Sequence, residues 1–131
     1  YYNNIGDEGA VALAQSPYLE NLQELNLGDN NIGEGGAKAI AESAHLQNLK
    51  SLDLGWNYIG DEGAQAIAQS PNLKNLQELR LCHNNLGAEG ARALAKSPHM
   101  ANLQILDLRW NIIGAEAAKD LRERFGTALK I

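Results

Sequence analysis

The chain is poor in the residues that carry much of protein chemistry: one Cys, one Met, one Phe and three Pro in 131 residues, with aromatics at 5%. A single Cys forms no internal disulfide, and a lone thiol suits a reducing compartment, so a cytoplasmic setting is expected. Apolar runs last only a few residues, far short of the roughly 18 needed to cross a bilayer, which excludes a membrane-spanning helix. Positive charge is scarce too, with 11 Lys and Arg against 16 Asp and Glu and a net charge of -5. That is the opposite of the basic footprint a phosphate backbone selects, so nucleic acid is not an expected partner. Enzyme signatures are missing: there is no Gly-x-Gly-x-x-Gly, no Gly-x-x-x-x-Gly-Lys-(Ser/Thr), no His-Glu-x-x-His and no Cys-x-x-Cys. The chain opens at Tyr1 without Met, basic segment or apolar segment, so this start reads as a cut or processed end.

What is abundant is repetitive. Leu (20), Ala (19), Asn (14) and Gly (13) fill about half of the chain. Leu22, Leu49, Leu76 and Leu103 are 27 residues apart, and Leu25/Leu52/Leu79/Leu106 and Leu27/Leu54/Leu81/Leu108 keep the same step. So do Asn3/Asn30/Asn57/Asn84/Asn111, Gly6/Gly33/Gly60/Gly87/Gly114 and Ser16/Ser43/Ser70/Ser97. Fixed self-similarity at this period predicts a solenoid. At 27 residues per unit the chain holds about five units, the first incomplete, above the roughly three a solenoid needs to bury a continuous core. One domain over 1–131 is expected.

Each part of the unit has a local cause. Leu25-Asn26-Leu27 alternates apolar and polar residues, the pattern of a strand with one buried face. Ala37, Ile40 and Ala41, with Ala64, Ile67, Ala68 and Ala91, Leu94, Ala95 after them, mark helices with one apolar stripe. Asp7-Glu8 and Asp61-Glu62 put negative charge in a first helical turn, and Pro17, Pro71 and Pro98 follow helix ends. The run Leu-x-x-Leu-x-Leu-x-x-Asn-x-(Ile/Leu)-Gly resembles the leucine-rich repeat family. Its continuation Gly-Ala-x-Ala-(Ile/Leu)-Ala is similar to the ribonuclease-inhibitor-like class, with a full helix in each repeat.

The resemblance implies an α/β horseshoe segment with parallel strands on the concave face and helices on the convex face, recognition as its general role, and membership of longer effector or sensor proteins as one setting. Asn30, Asn57, Asn84 and Asn111 are then expected to turn inward onto backbone groups. The last unit departs from the pattern at Ala117, Asp120 and Arg122-Glu123-Arg124. Residues 115–131 are therefore expected to form a C-terminal cap, closed by Phe125, with Gly126 ending the helix and a short edge strand at 129–131.

A repeat array fixes its scaffold columns and leaves its surface columns free. Counted from the first Leu of a unit, the outward strand positions are the third (Glu24, Ser51, Glu78, Ile105), fifth (Asn26, Asp53, Arg80, Asp107), seventh (Tyr1, Gly28, Gly55, Cys82, Arg109) and eighth (Tyr2, Asp29, Trp56, His83, Trp110). The eighth gathers both Trp residues and a Tyr, and with parallel strands about 4.8 Å apart it predicts an aromatic strip. Five carboxylates (Glu24, Asp29, Asp53, Glu78, Asp107) against Arg80 and Arg109 leave this face acidic. Trp, Tyr and Arg dominate interface energetics. The expected function is therefore non-catalytic binding of a protein with a basic or mixed-charge patch, through Tyr2, Asn26, Asp29, Asp53, Trp56, Arg80, His83, Asp107, Arg109 and Trp110. Two other readings of the strip remain: packing that shields the strand-to-loop turn, and stacking on carbohydrate. A structural or engineered scaffold without a partner is also consistent with the near-identity of units, since Ile5 to Ala10 equals Ile59 to Ala64.

No cofactor or metal is expected. Cys82 and His83 are adjacent and so point apart on a strand, and Asp29, Asp53 and Asp107 share no loop. The convex set of Lys38, Glu42, Gln65, Gln69, Arg92, Lys96 and Lys119 reads as a solvated face. The strand at 22–27 has no predecessor, so an uncapped edge beside Tyr1 and Tyr2 offers a route to a homodimer.

Overall fold

The computed structural model describes residues 3–131. Five strands, β1 (Glu24–Asn26), β2 (Ser51–Asp53), β3 (Glu78–Arg80), β4 (Ile105–Asp107) and β5 (Leu129–Lys130), form one parallel sheet in chain order. Five helices alternate with them: α1 (Gly6–Ala14), α2 (Glu34–Glu42), α3 (Gly60–Ala68), α4 (Ala88–Lys96) and α5 (Ala115–Phe125). The 27-residue step sets the register directly, since Leu25, Leu52, Leu79 and Leu106 are successive partners. The last step is shorter, pairing Leu106 with Leu129, because only Gly126–Ala128 separates α5 from β5. Gly126 ends α5 at φ 51°, and Phe125 packs half-buried against the core.

Between sheet and helices lies one continuous core. Leu52, Leu54, Leu79, Leu81, Ile40, Ile67 and Leu94 are all fully buried in it. Apolar side chains cannot satisfy the backbone groups of the turns that enter and leave each strand, and buried amides must be paired. The Asn column does this. Asn57 Oδ1 accepts from the amides of Asn30 (3.0 Å) and Ile32 (2.9 Å), while its Nδ2 donates to the carbonyls of Leu27, Leu54 and Gly55. Asn84 and Asn111 repeat the arrangement one and two units on. Behind the helices, the hydroxyls of Ser43, Ser70 and Ser97 donate to the carbonyls of Ala14, Ala41 and Ala68 at the end of the preceding helix.

The first four helices start in two alternating ways. In α2 and α4 the leading Gly33 and Gly87 are extended, and an aspartate of the previous helix caps the start. Asp7 Oδ1 accepts from the amides of Gly33 (2.7 Å) and Gly36 (3.0 Å), and Asp61 Oδ1 from Gly87 (2.7 Å) and Gly90 (2.9 Å). The charge expected to serve a helix's own dipole thus serves its successor as well. Gly36 and Gly90 make room for this contact, since a Cβ at either would lie 2.7 Å from the capping oxygen. In α1 and α3, Gly6 and Gly60 are left-handed (φ 61° and 62°) and donate to the carbonyls of Asn30 and Asn84. Helix α2 holds no aspartate to cap α3. Glu34 stands there instead, its carboxyl held above the ordinary carboxylate range chiefly by the charge of Glu62, then by burial and by Asp61 and Asp7.

Candidate functional site

The eighth column continues the sheet past the strand ends. The amides of Asp29, Trp56 and His83 donate to the carbonyls of Gly55, Cys82 and Arg109. To make these bonds the backbone turns left-handed at every unit, with φ of 60° at Asp29, 59° at Trp56, 53° at His83 and 62° at Trp110. Gly, Asn and Asp adopt that conformation readily, whereas bulky side chains do so at a cost of roughly 1 kcal/mol or more. Three of these four positions nevertheless hold aromatic rings. The His83 ring stacks on Trp56 (centroids 3.6 Å, interplanar angle 20°) and on Trp110 (5.3 Å, 16°). Trp56 remains 59% exposed and Trp110 75%.

Two further exposed apolar residues extend this surface and escaped the column comparison. Tyr58 and Ile112 occupy a tenth column that elsewhere holds Asn4, Asn31 and Asn85, and they are 61% and 88% exposed. The same comparison carried two positions further along the unit would have shown them. Asp29, Asn31, Trp56, Tyr58, His83, Asn85 and Trp110 line an open groove of about 220 Å³.

The fifth column is less free than its polarity suggests. Asn26, Asp53 and Asp107 each turn a side-chain oxygen back onto the amide two residues on, at Gly28, Gly55 and Arg109. Asp107, expected as an outward carboxylate, is buried at 3% exposure. The reason is Arg109, whose Nε and Nη2 grip both carboxylate oxygens at 2.9 and 2.6 Å. Burial alone would raise the Asp107 pKa, but the hydrogen bonds from the Arg109 side chain and backbone, with the charges of Arg109 and Lys130, outweigh it and hold the carboxyl below the usual range.

Arg80 is likewise engaged, paired with Glu78 and 3.9 Å from Asp53. Both concave arginines are therefore neutralised from within the face, and Glu24 and Asp29 carry the carboxylates that have no cation partner among the described residues. Cys82 is half-buried, and burial pushes its thiol up, with Asp107 and Asp53 adding to the shift. The ring of His83 lies between the indoles and no hydrogen bond joins it to that thiol. Tyr1 and Tyr2 lie outside the described residues.

The Asp107 environment fixes the sign of a pH effect. A carboxyl whose folded pKa is lowered contributes stability that is complete above its ordinary value of 3.8 and is lost as pH falls through the folded value. Asp107→Asn is expected to cost about 1–2 kcal/mol at neutral pH and to flatten the acid limb of stability below about pH 4. Urea unfolding of both proteins between pH 2.5 and 7 measures it, and parallel pH profiles would contradict the assignment.

A single parallel sheet backed by one helix per 27-residue unit, with an inward Asn ladder, defines the class as an α/β repeat solenoid. The chain belongs to the leucine-rich repeat family, whose profile matches residues 2–14, 18–41, 45–68, 72–95 and 99–121. No curated protein sequence matches it. Among solved structures it is similar to the actin-binding site 2 of leiomodin-1, with 22% identity and a TM-score of 0.65 over 88% of this chain and 72% of that one. It is also similar to an internalin from Listeria monocytogenes, with 24% identity and a TM-score of 0.58 over 90% of this chain and 30% of that one. These two likenesses bear on the fold alone.

Proposed function

We propose that the chain is a non-catalytic protein-interaction module that binds its partner along the concave face, with Trp56 and Trp110 as anchors and Arg109 beside them. The observation that carries this reading is the pair of indoles held in left-handed backbone while 59% and 75% exposed. Shielding a turn would return buried area for that backbone cost, and so much exposed indole returns little. The acidic face calls for a partner with a basic or mixed patch. Membership of the leucine-rich repeat family supports recognition as the general role. The full helix in each repeat supports the ribonuclease-inhibitor-like class.

A scaffold without a partner is the second reading, favoured by units that match two steps apart even in dihedrals, as at Gly33 and Gly87 (both φ -103°, ψ -161°). Affinity capture from lysate with the wild type and a Trp56→Ala/Trp110→Ala variant of equal circular dichroism separates the two. The binding reading expects specific partners with the wild type and at least a tenfold loss with the variant, as for hot-spot aromatics. Undiminished capture by the variant would overturn it, and no specific capture by either protein would favour the scaffold.

A further inference from the structure

We propose that the concave face receives a lysine or arginine side chain of the partner between the Trp56 indole and the Asp29 carboxylate. The inference rests on the concave-binding reading and specifies which chemistry that surface takes and where.

Trp56 has two faces with different neighbours. One is covered by His83 at 3.6 Å. The other is turned toward the preceding unit, whose residue in the same column is Asp29, tied to the Trp56 turn by its amide bond to the Gly55 carbonyl (2.9 Å). Asp29 and Trp56 line the same groove, both left-handed, and Asp29 is only partly buried. The Asp29 carboxylate meets no cation and no side-chain donor among the described residues, so it is free for a cation from outside. An indole face beside an uncompensated carboxylate is a cation site by two additive attractions, the ring quadrupole and the opposite charge.

The charge distribution says why the cation sits at this end of the stack. Residues 1–48 hold seven carboxylates against Lys38 alone, while residues 76–131 hold six carboxylates against eight Lys and Arg. Trp110 has His83 rather than a carboxylate as its neighbour in the same column, and the Arg109 beside it already occupies the Asp107 carboxylate. The Trp56 end lies beside Asp29 and on the side of Glu24, the two concave carboxylates without a cation. Arg80, on β3, is already held by Glu78 and Asp53.

Two Trp residues give two indole N–H signals in a proton–nitrogen NMR spectrum, assignable with Trp56→Phe and Trp110→Phe. The probe is a hexapeptide of alternating Arg and Gly, with the Glu/Gly hexapeptide and maltohexaose as comparators. The Arg peptide is expected to move the Trp56 signal more than that of Trp110. Asp29→Asn keeps the shape and tolerates a left-handed backbone, and it is expected to weaken binding about five- to tenfold with the fold intact. Raising salt from 0.05 to 0.5 M should weaken wild-type binding in the same direction. The proposal is overturned if Trp110 responds instead, if Asp29→Asn binds as tightly as wild type, or if the Glu peptide or maltohexaose moves Trp56 equally. Partner capture that survives Asp29→Asn but not Trp56→Ala/Trp110→Ala would reject the cation slot and leave concave binding standing, whereas capture indifferent to both would reject the two together.

Discussion

Asn57→Ala is expected to destabilise the protein by about 4 kcal/mol, a large share of the roughly 5–15 kcal/mol typical of a folded domain. Asn57 is 3% exposed; its Oδ1 accepts two hydrogen bonds and the two hydrogens of its Nδ2 are shared among three carbonyls, spanning its own unit and the one before. Alanine leaves the Asn30 and Ile32 amides and the Leu27 carbonyl without that side-chain partner, in a space closed to water by the leucine core. Each unsatisfied buried group costs about 1–3 kcal/mol. Asn57→Asp keeps the shape but sets a carboxylate against three carbonyls, so it should be at least as harmful at neutral pH. Asn111 is more exposed than Asn57 and its column ends there, so Asn111→Ala should cost about half as much. Urea denaturation followed by circular dichroism measures all three. A loss under 1 kcal/mol for Asn57→Ala would remove the ladder from the account of what holds the turns.

Leu79→Ala is the second large effect, expected at about 3–5 kcal/mol. Leu79 is fully buried on the central strand, between its register partners Leu52 and Leu106, which are fully buried too. Collapse around the cavity would require one strand to move relative to both neighbours, and the ladder bonds on either side oppose that. In a solenoid each unit is coupled only to the next, so a defect here also weakens the link between the two halves. The urea transition of Leu79→Ala should be broader than that of the wild type, with Trp fluorescence and circular dichroism no longer coincident. The same change at Leu25, half-buried on the edge strand, should cost about 1–2 kcal/mol. Equal losses at Leu25 and Leu79 would mean that burial in the crystal-like interior of the array does not set the scale.

Much of this architecture is legible in the sequence because a strict period converts linear position into spatial position. The leucine columns become strand register without adjustment, and Asn30 through Asn111 turn inward as their recurrence requires. The aromatic column was legible for the same reason, and its stacking is observed between Trp56, His83 and Trp110. What escaped the reading depends on pairs of units. The Asp7 and Asp61 caps on α2 and α4 require knowing how far one helix reaches over the next, which no single unit contains. The burial of Asp107 was missed because period-2 alternation assigns it to the open face, while a bidentate Arg109 two residues away draws a lid over it. Tyr58 and Ile112 lay just beyond the columns compared.

The alternating helix starts carry a consequence for how such an array grows. Asp7 fastens α2 to α1 and Asp61 fastens α4 to α3, but between α2 and α3 the facing carboxylates of Glu34 and Glu62 repel. Of the first three junctions the outer two are thus capped and the middle one is repelled, while α4 and α5 meet with Arg92 3.9 Å from Glu116. Copying a single 27-residue unit would put two starts of one kind side by side, leaving a helix without its cap. Copying two together keeps a capping aspartate with the helix it caps, and identical stretches such as Ile5 to Ala10 and Ile59 to Ala64 fall 54 residues apart.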